Sequence, residues 1–269
     1  MSSKPSVVFF GATGGVTNSA LVHTIQAGYK AAVLVRTPAK LRQQLSDQAI
    51  DEMTIAKNLV LNEGNALDVA AVKRTLLSVN AGRLPTYIVS GLGGSPKLNL
   101  NMCHPLHLAT LDNPEICATA ASTLVTALEE IFTEQPALKA NKPLLVFLST
   151  TGVTRGPEDV PFAMRFLYHQ TLAIPHADKK KMEDIYRGEV EKQDPVFRSV
   201  VGIRPTLLSG TVSYTDASGL QGVRSGYEHR PATGYSIKRA DVGHWIFQNL
   251  IDEATRNPEV EGQMVSLTS

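Results

Sequence analysis

Cysteine is nearly missing from this chain, with two residues, Cys103 and Cys117, among 269. Two thiols make no disulfide framework, and no metal-ligand spacing surrounds either one. A stapled secreted scaffold and a zinc module are therefore excluded, and a reducing, cytoplasmic setting is expected. Charge of one sign is also lacking: the net value is +1, which leaves no general signature for nucleic acid or another polyanion. No apolar run approaches the length of a spanning helix, so no membrane partner is expected. The opening MSSKPS leads straight into a strand, with no room for a signal peptide. Internal repeats and low-complexity segments are absent beyond an alternation of strands and helices. Hydrophobic residues make up 43%, enough for a substantial core, and the length fits one enzyme-sized domain over 1–269.

What the chain has is a glycine turn between two apolar strands. Val7 to Phe10 form a short apolar run, as in a strand buried on both faces of a parallel sheet. Gly11, Ala12, Thr13, Gly14, Gly15 and Val16 follow. Gly11 permits the tight exit turn, and Gly14 lets backbone amides approach a pyrophosphate. A helix opening near Gly14 or Gly15 aims free N–H groups and its positive dipole end at that anion. Thr17 stands where a third glycine is usual, which loosens the match. The second strand, AAVLVR, ends in Arg36, with Lys40 and Arg42 on the next turn, and no acidic residue lies between Lys30 and Ser46. A carboxylate there would hold the ribose 2′-OH of NAD; a planar guanidinium can grip a 2′-phosphate with two charge-assisted hydrogen bonds. NADP(H) is the expected cofactor.

The alternation continues through a helix over Lys40 to Gln48 and strands at Asn58 to Leu61, Thr86 to Val89, Pro143 to Leu148, Arg198 to Ile203 and Met264 to Thr268. Helices are read at Ile116 to Phe132 and Arg239 to Ala254. Helical crossovers imply a parallel sheet and a doubly wound α/β Rossmann fold of ~6–8 strands. Ligands then lie beyond the carboxyl ends of the strands, where strand order reverses. That edge gathers the glycine turn and Arg36 with Asn65, a candidate for an adenine edge, and Asp68, a helix cap. It also gathers Ser90, Gly91, Leu92, Gly93 and Gly94 after the fourth strand, and Ser149 to Gly152 after the fifth.

At this point the chain resembles the atypical short-chain dehydrogenase/reductase proteins of the NmrA-like and biliverdin-reductase-B-like kind. The resemblance rests on FGATGGVT, VLVR, LSTTG, Lys179 and Glu183 in KKKME, GIRPTLLSG and IKRADVGHWI, and covers nearly the whole chain. It implies a Rossmann core, a small C-terminal substrate region and NADP(H). It also implies a lysine at 179 near the nicotinamide ribose, although Lys179, Lys180 and Lys181 are consecutive and the facing one is open. The wider superfamily's Tyr-x-x-x-Lys is lacking: Tyr168, Tyr186 and Tyr235 are followed four places on by Leu172, Val190 and Arg239.

Proton chemistry must then come from elsewhere. Ser149 and Thr150 stand where a hydroxyl could stabilise charge on a carbonyl oxygen as hydride arrives. His176, three residues before Lys179, could donate a proton near neutral pH. His104 and His107, in a loop over about 94–112, are two ligands without a third and do not argue for a metal. A glycine- and serine-rich stretch at about 207–236 reads as a movable flap over a substrate. The expected function is an NADPH-dependent reductase of a small, largely apolar carbonyl, imine or activated double bond, with a place in secondary metabolism. An NADP-binding sensor, or a scaffold for cyclisation or isomerisation, is the alternative. A small molecule is the expected partner, and a monomer or dimer the expected state.

Overall fold

Strand and helix alternate through the computed structural model, which describes residues 4–93, 96–98, 109–111, 113–164 and 173–269. The amino half runs β1 (Ser6–Phe10), α1 (Gly15–Gln26), β2 (Lys30–Val35), α2 (Pro38–Asp47), α3 (Glu52–Asn58), β3 (Leu59–Glu63), α4 (Val69–Ser78) and β4 (Tyr87–Ser90). A short antiparallel ribbon, β5 (Pro96–Leu98) with β6 (Ala109–Leu111), precedes α5 (Ile116–Glu134) and β7 (Leu144–Leu148). Then come α6 (Ala173–Val190), β8 (Ser199–Pro205), β9 (Leu207–Ser209), β10 (Arg224–Tyr227), β11 (Ser236–Lys238), α7 (Arg239–Ile246) and β12 (Met264–Thr268).

Eight strands form one sheet in the order β10-β12-β8-β7-β4-β1-β2-β3, parallel except for β10 against β12. β1 and β7 are buried along their whole length, as helices covering both faces require. Val7, Phe9, Val33 and Val146 pack on one face with Leu21 and Ile25 of α1 and Val242 and Ile246 of α7. Val8, Phe10, Ile88 and Phe147 pack on the other with Leu76 of α4, Leu128 of α5 and Tyr186 of α6. Each such side chain contributes about 1.5–3 kcal/mol relative to exposure. The chain winds outward from β1 to β3, then returns to build from β4 towards β12. The reversal point, and so the crevice, lies between β1 and β4.

Three sequence expectations change. The stretch before the third strand folds as α3, because Asp51 caps it by accepting from the Thr54 amide, and the strand starts at Leu59. The last long helix ends at Ile246 and continues only as a π-helical turn over Phe247–Ile251. The exclusion of a spanning-length helix also fails, since α5 is long and apolar enough by length and composition. Its Cys117, Leu124, Leu128, Ile131 and Phe132 are nevertheless buried in the core against the sheet. Cys103, His104, His107, Tyr168 and Leu172 lie outside the described residues.

Candidate active site

The glycine turn fills the expected place at the reversal point. Gly11 sits at φ +81°, and an added Cβ would lie 2.8 Å from the Gly91 carbonyl oxygen. The Gly11 carbonyl accepts from the Gly14 amide at 2.9 Å, and the Gly91 amide donates to Phe10 at 2.9 Å, so the β1 and β4 exits are pinned together. Gly14, at φ −88° and ψ 141°, caps α1 with no side-chain hydrogen bond to the first-turn amides. Its backbone is ordinary, and an added Cβ would stand 3.3 Å from the Gly11 carbonyl oxygen. Gly93, by contrast, has nothing among the described residues within 4 Å of an added Cβ. Gly15 is different: a Cβ there would meet the Arg239 side chain at 2.7 Å and the Thr211 carbonyl oxygen at 3.1 Å. Thr17 replaces the third glycine because Gly91 gives up the room; a Cβ on Gly91 would collide with the Thr17 hydroxyl. Val16 is buried behind the turn.

Three residues that the sequence did not flag hold this turn from below. Asn18 Nδ2 donates to the Ala12 carbonyl at 3.2 Å, and Gln48 Nε2 donates to Asn18 Oδ1 at 2.9 Å. Gln48 Oε1 accepts from the Tyr214 amide at 2.9 Å, and Gln44 donates to the Thr13 carbonyl at 3.2 Å. None of these three amides belongs to a recognisable motif; only a buried polar residue on an apolar helix face could have drawn attention to Asn18.

Arg36 is exposed at the carboxyl end of β2 and makes no hydrogen bond or ion pair among the described residues. Lys40 is exposed in the first turn of α2 on the same side. Asn65 is exposed, and its Oδ1 accepts from the Leu67 amide at 3.1 Å, so its side chain shapes the turn. Asp68 caps α4 by accepting from the Ala70 amide at 2.9 Å.

Past β4 and β7 the expectations separate. Ser90 is buried, and its hydroxyl is bonded to the Tyr186 phenol; burial raises the Tyr186 pKa, and the tyrosine stays neutral. Of the three lysines, it is Lys179 that reaches the strand exits. Its Nζ donates to the Leu92 carbonyl at 2.9 Å and the Leu148 carbonyl at 2.6 Å, bridging the exits of β4 and β7. Lys180 is exposed, and Lys181 pairs with Glu115 at 2.7 Å. Asp178, the preceding residue, caps α5 by accepting from the Cys117 and Ala118 amides at 2.9 and 3.0 Å. Burial pushes the Cys117 thiol up to about 11, so it stays protonated and is no nucleophile.

Ser149 is fixed by its amide, which donates to the Ile203 carbonyl at 2.8 Å, and its Oγ is buried with no hydrogen-bond partner among the described residues. Thr150 is half-buried beside it, whereas Thr151 is buried and turned to the Pro205 carbonyl at 3.5 Å. His176 is half-buried on α6, one turn before Lys179. The 207–236 segment is anchored at several points: β9 pairs with β11, β10 is hydrogen-bonded to β12, and Tyr214 edges onto His23. Among the described residues no group of three or more acidic, histidine or cysteine side chains could hold a metal.

A capless helix start, the open Gly93 and an arginine at the next strand's exit with no partner among the described residues fit a dinucleotide. The amides of α1 would hold the pyrophosphate, and Lys179 stands at the two strand exits where the nicotinamide end would lie. Fold and site thus fit a nicotinamide-dinucleotide-binding protein.

Comparison with known proteins gives the family. No protein-family model matches the chain. The reductase pytE of Aspergillus terreus is 42% identical over 272 residues, covering 99% of each chain. The oxidase pynE of Aspergillus niger is 38% identical, covering 93% of this chain and 94% of its own. Among solved structures, the anaerobilin reductase ChuY of Escherichia coli O157:H7 superposes with a TM-score of 0.59 at 16% identity, over 97% of this chain and 96% of its own. Gre2 of Candida albicans, solved with NADPH, gives 0.60 at 13%, over 98% of this chain and 78% of its own. The chain belongs to the atypical, NmrA-like short-chain dehydrogenase/reductase family.

Proposed function

We propose that this protein is an NADPH-dependent reductase of a small, largely apolar carbonyl, imine or activated double-bond compound, acting in the cytoplasm as a monomer or dimer. The observation that carries the reading is Arg36, exposed and unpaired where β2 ends. A guanidinium with no partner among the described residues is free for a 2′-phosphate, and no acidic residue between Lys30 and Ser46 repels that anion. When bound, the dinucleotide would supply the hydride; the chain's own residues bind, orient and manage the proton.

Lys179 holds the β4 and β7 exits at a fixed separation through its two carbonyl contacts, so the cleft floor is preorganised. Ser149 offers a buried hydroxyl without an acceptor among the described residues, which favours a hydrogen bond to a substrate oxygen or nitrogen. Thr150 flanks it, and His176 lies one helical turn from Lys179 as a proton source. The test is to titrate NADPH and NADH into the protein, then follow nicotinamide absorbance with carbonyl, quinone, flavin and imine acceptors. Tight NADPH binding with turnover of at least one acceptor class is expected; no turnover with any would refute the reductase reading.

One observation favours a second reading, an NADP-binding protein without redox turnover, whether a sensor or a scaffold for cyclisation or isomerisation. Lys179 spends two of its hydrogens on backbone carbonyls, and no tyrosine in the sequence stands four residues before a lysine. Tight NADPH binding with no loss of nicotinamide absorbance would support it.

A further inference from the structure

Beside the dinucleotide edge lies a buried charge cluster that neither cofactor binding nor the hydroxyls explain. Arg204, near the end of β8, is 2% exposed and points to the face covered by α6. Its guanidinium donates to both oxygens of Glu183, at 2.9 and 2.6 Å, and Glu183 is also 2% exposed. A third contact runs from Arg204 Nη1 to Glu228 at 2.9 Å, just past β10. Glu228 in turn accepts from Arg187 of α6 at 2.8 and 2.7 Å and from the Arg155 amide at 3.1 Å. Burial alone would raise the Glu228 pKa, but the Arg187, Arg155 and Arg204 contacts hold it down at about 2. Arg155 also pairs with Asp184 of α6, and Gly156 is packed so closely on the Glu228 backbone that a Cβ would not fit.

The cluster joins three segments: the loop after β7, helix α6 and the stretch after β10. It stands one helical turn along α6 from Lys179, which grips the β4 and β7 exits. A buried ion pair adds little stability over a hydrophobic replacement, whereas it fixes register and orientation when fully hydrogen-bonded. Resting on the reductase reading, we infer that Arg204 is a positioning residue: through Glu183 and Glu228 it fastens the 224–230 segment to α6 and sets the substrate wall of the cleft.

Glu228→Gln is the primary variant, since it keeps shape and leaves Arg204 bidentate on Glu183. Arg204→Lys is the second, keeping charge without the planar fork. Trypsin can cut the segment after Arg224, whereas the Arg230–Pro231 bond resists it. In both variants cleavage there should rise by about tenfold, reflecting local opening, while the NADPH dissociation constant stays within about twofold. For an acceptor reduced by the wild type, KM should rise by about tenfold with kcat within about threefold. Cleavage and KM at wild-type values would overturn the inference. So would loss of NADPH affinity in step with thermal stability, the mark of a merely structural pair. If the wild type reduces no acceptor, the reductase reading falls separately and the tryptic rate alone judges the fastening.

Discussion

Gly11 and Gly14 stand three residues apart in the same turn, yet their replacement should fail in opposite ways. Gly11 has φ +81°, where an L-residue costs about 1–2 kcal/mol. Its new Cβ would also lie 2.8 Å from the Gly91 carbonyl oxygen, and backbone cannot swing aside as a side chain can. Adding strain at the β1–β4 junction, Gly11→Ala should lose about 2–4 kcal/mol, or roughly 4–16 °C in Tm for a domain of this size. Gly14 has φ −88°, open to any residue, and an added Cβ would stand 3.3 Å from the Gly11 carbonyl oxygen, tight but tolerable. Gly14→Val should therefore keep its circular dichroism spectrum and lose no more than about 1 kcal/mol, a typical helix-cap effect. Its isopropyl group would occupy the space above the first amides of α1, and NADPH affinity should fall by at least about a hundredfold, equivalent to ~2.7 kcal/mol. Fluorescence titration and thermal melts on the same preparations separate the two variants. A folded Gly14→Val protein that binds NADPH like the wild type would refute the phosphate-cradle assignment.

Arg36→Ala should reduce NADPH affinity by about 10- to 150-fold, as loss of ~1.5–3 kcal/mol implies, and leave NADH affinity nearly unchanged; paired titrations check it. Lys179→Ala combined with Thr150→Val should cut turnover by roughly a hundredfold while retaining most NADPH affinity, read from single-turnover rates beside binding isotherms. His23 is stacked 4.3 Å from His244 between α1 and α7, and burial first, then His244, lowers its pKa to about 4. The unfolded chain therefore takes a proton that the folded chain refuses. Stability should decline as pH falls from about 6.5 towards 4, and His23→Leu should flatten that decline in denaturant melts.

The sheet was legible because its signals are local and redundant. Val7–Phe10, Ala31–Val35 and Leu144–Leu148 are apolar runs bounded by turn residues, and each became a buried parallel strand. Elements set by tertiary partners were harder to read. α3 depends on one Asp51 cap, and β10 is a strand only because β12 offers it an edge. α5 shows the limit of composition: length and apolarity alone describe a spanning helix and a core helix equally, and only its packing against the sheet distinguishes them here.

The site divides along the same line. Gly11, Gly14 and Arg36 were readable because backbone geometry and charge act at a fixed spacing from a strand end. The residues that hold the site together were not, since their meaning lies in contacts across the fold. Asp178 reads as one acid beside three lysines, yet it caps a helix 60 residues earlier in the chain. Lys179 could be placed only by resemblance, and its work is to tie two carbonyls that β4 and β7 bring together. Arg204 lies inside an apolar strand pattern, where a charge looks like an exception until Glu183 and Glu228 are seen around it. A buried cation in a strand otherwise fit for the core is itself a sequence signal: it requires buried carboxylates, and the chain segments supplying them must meet there.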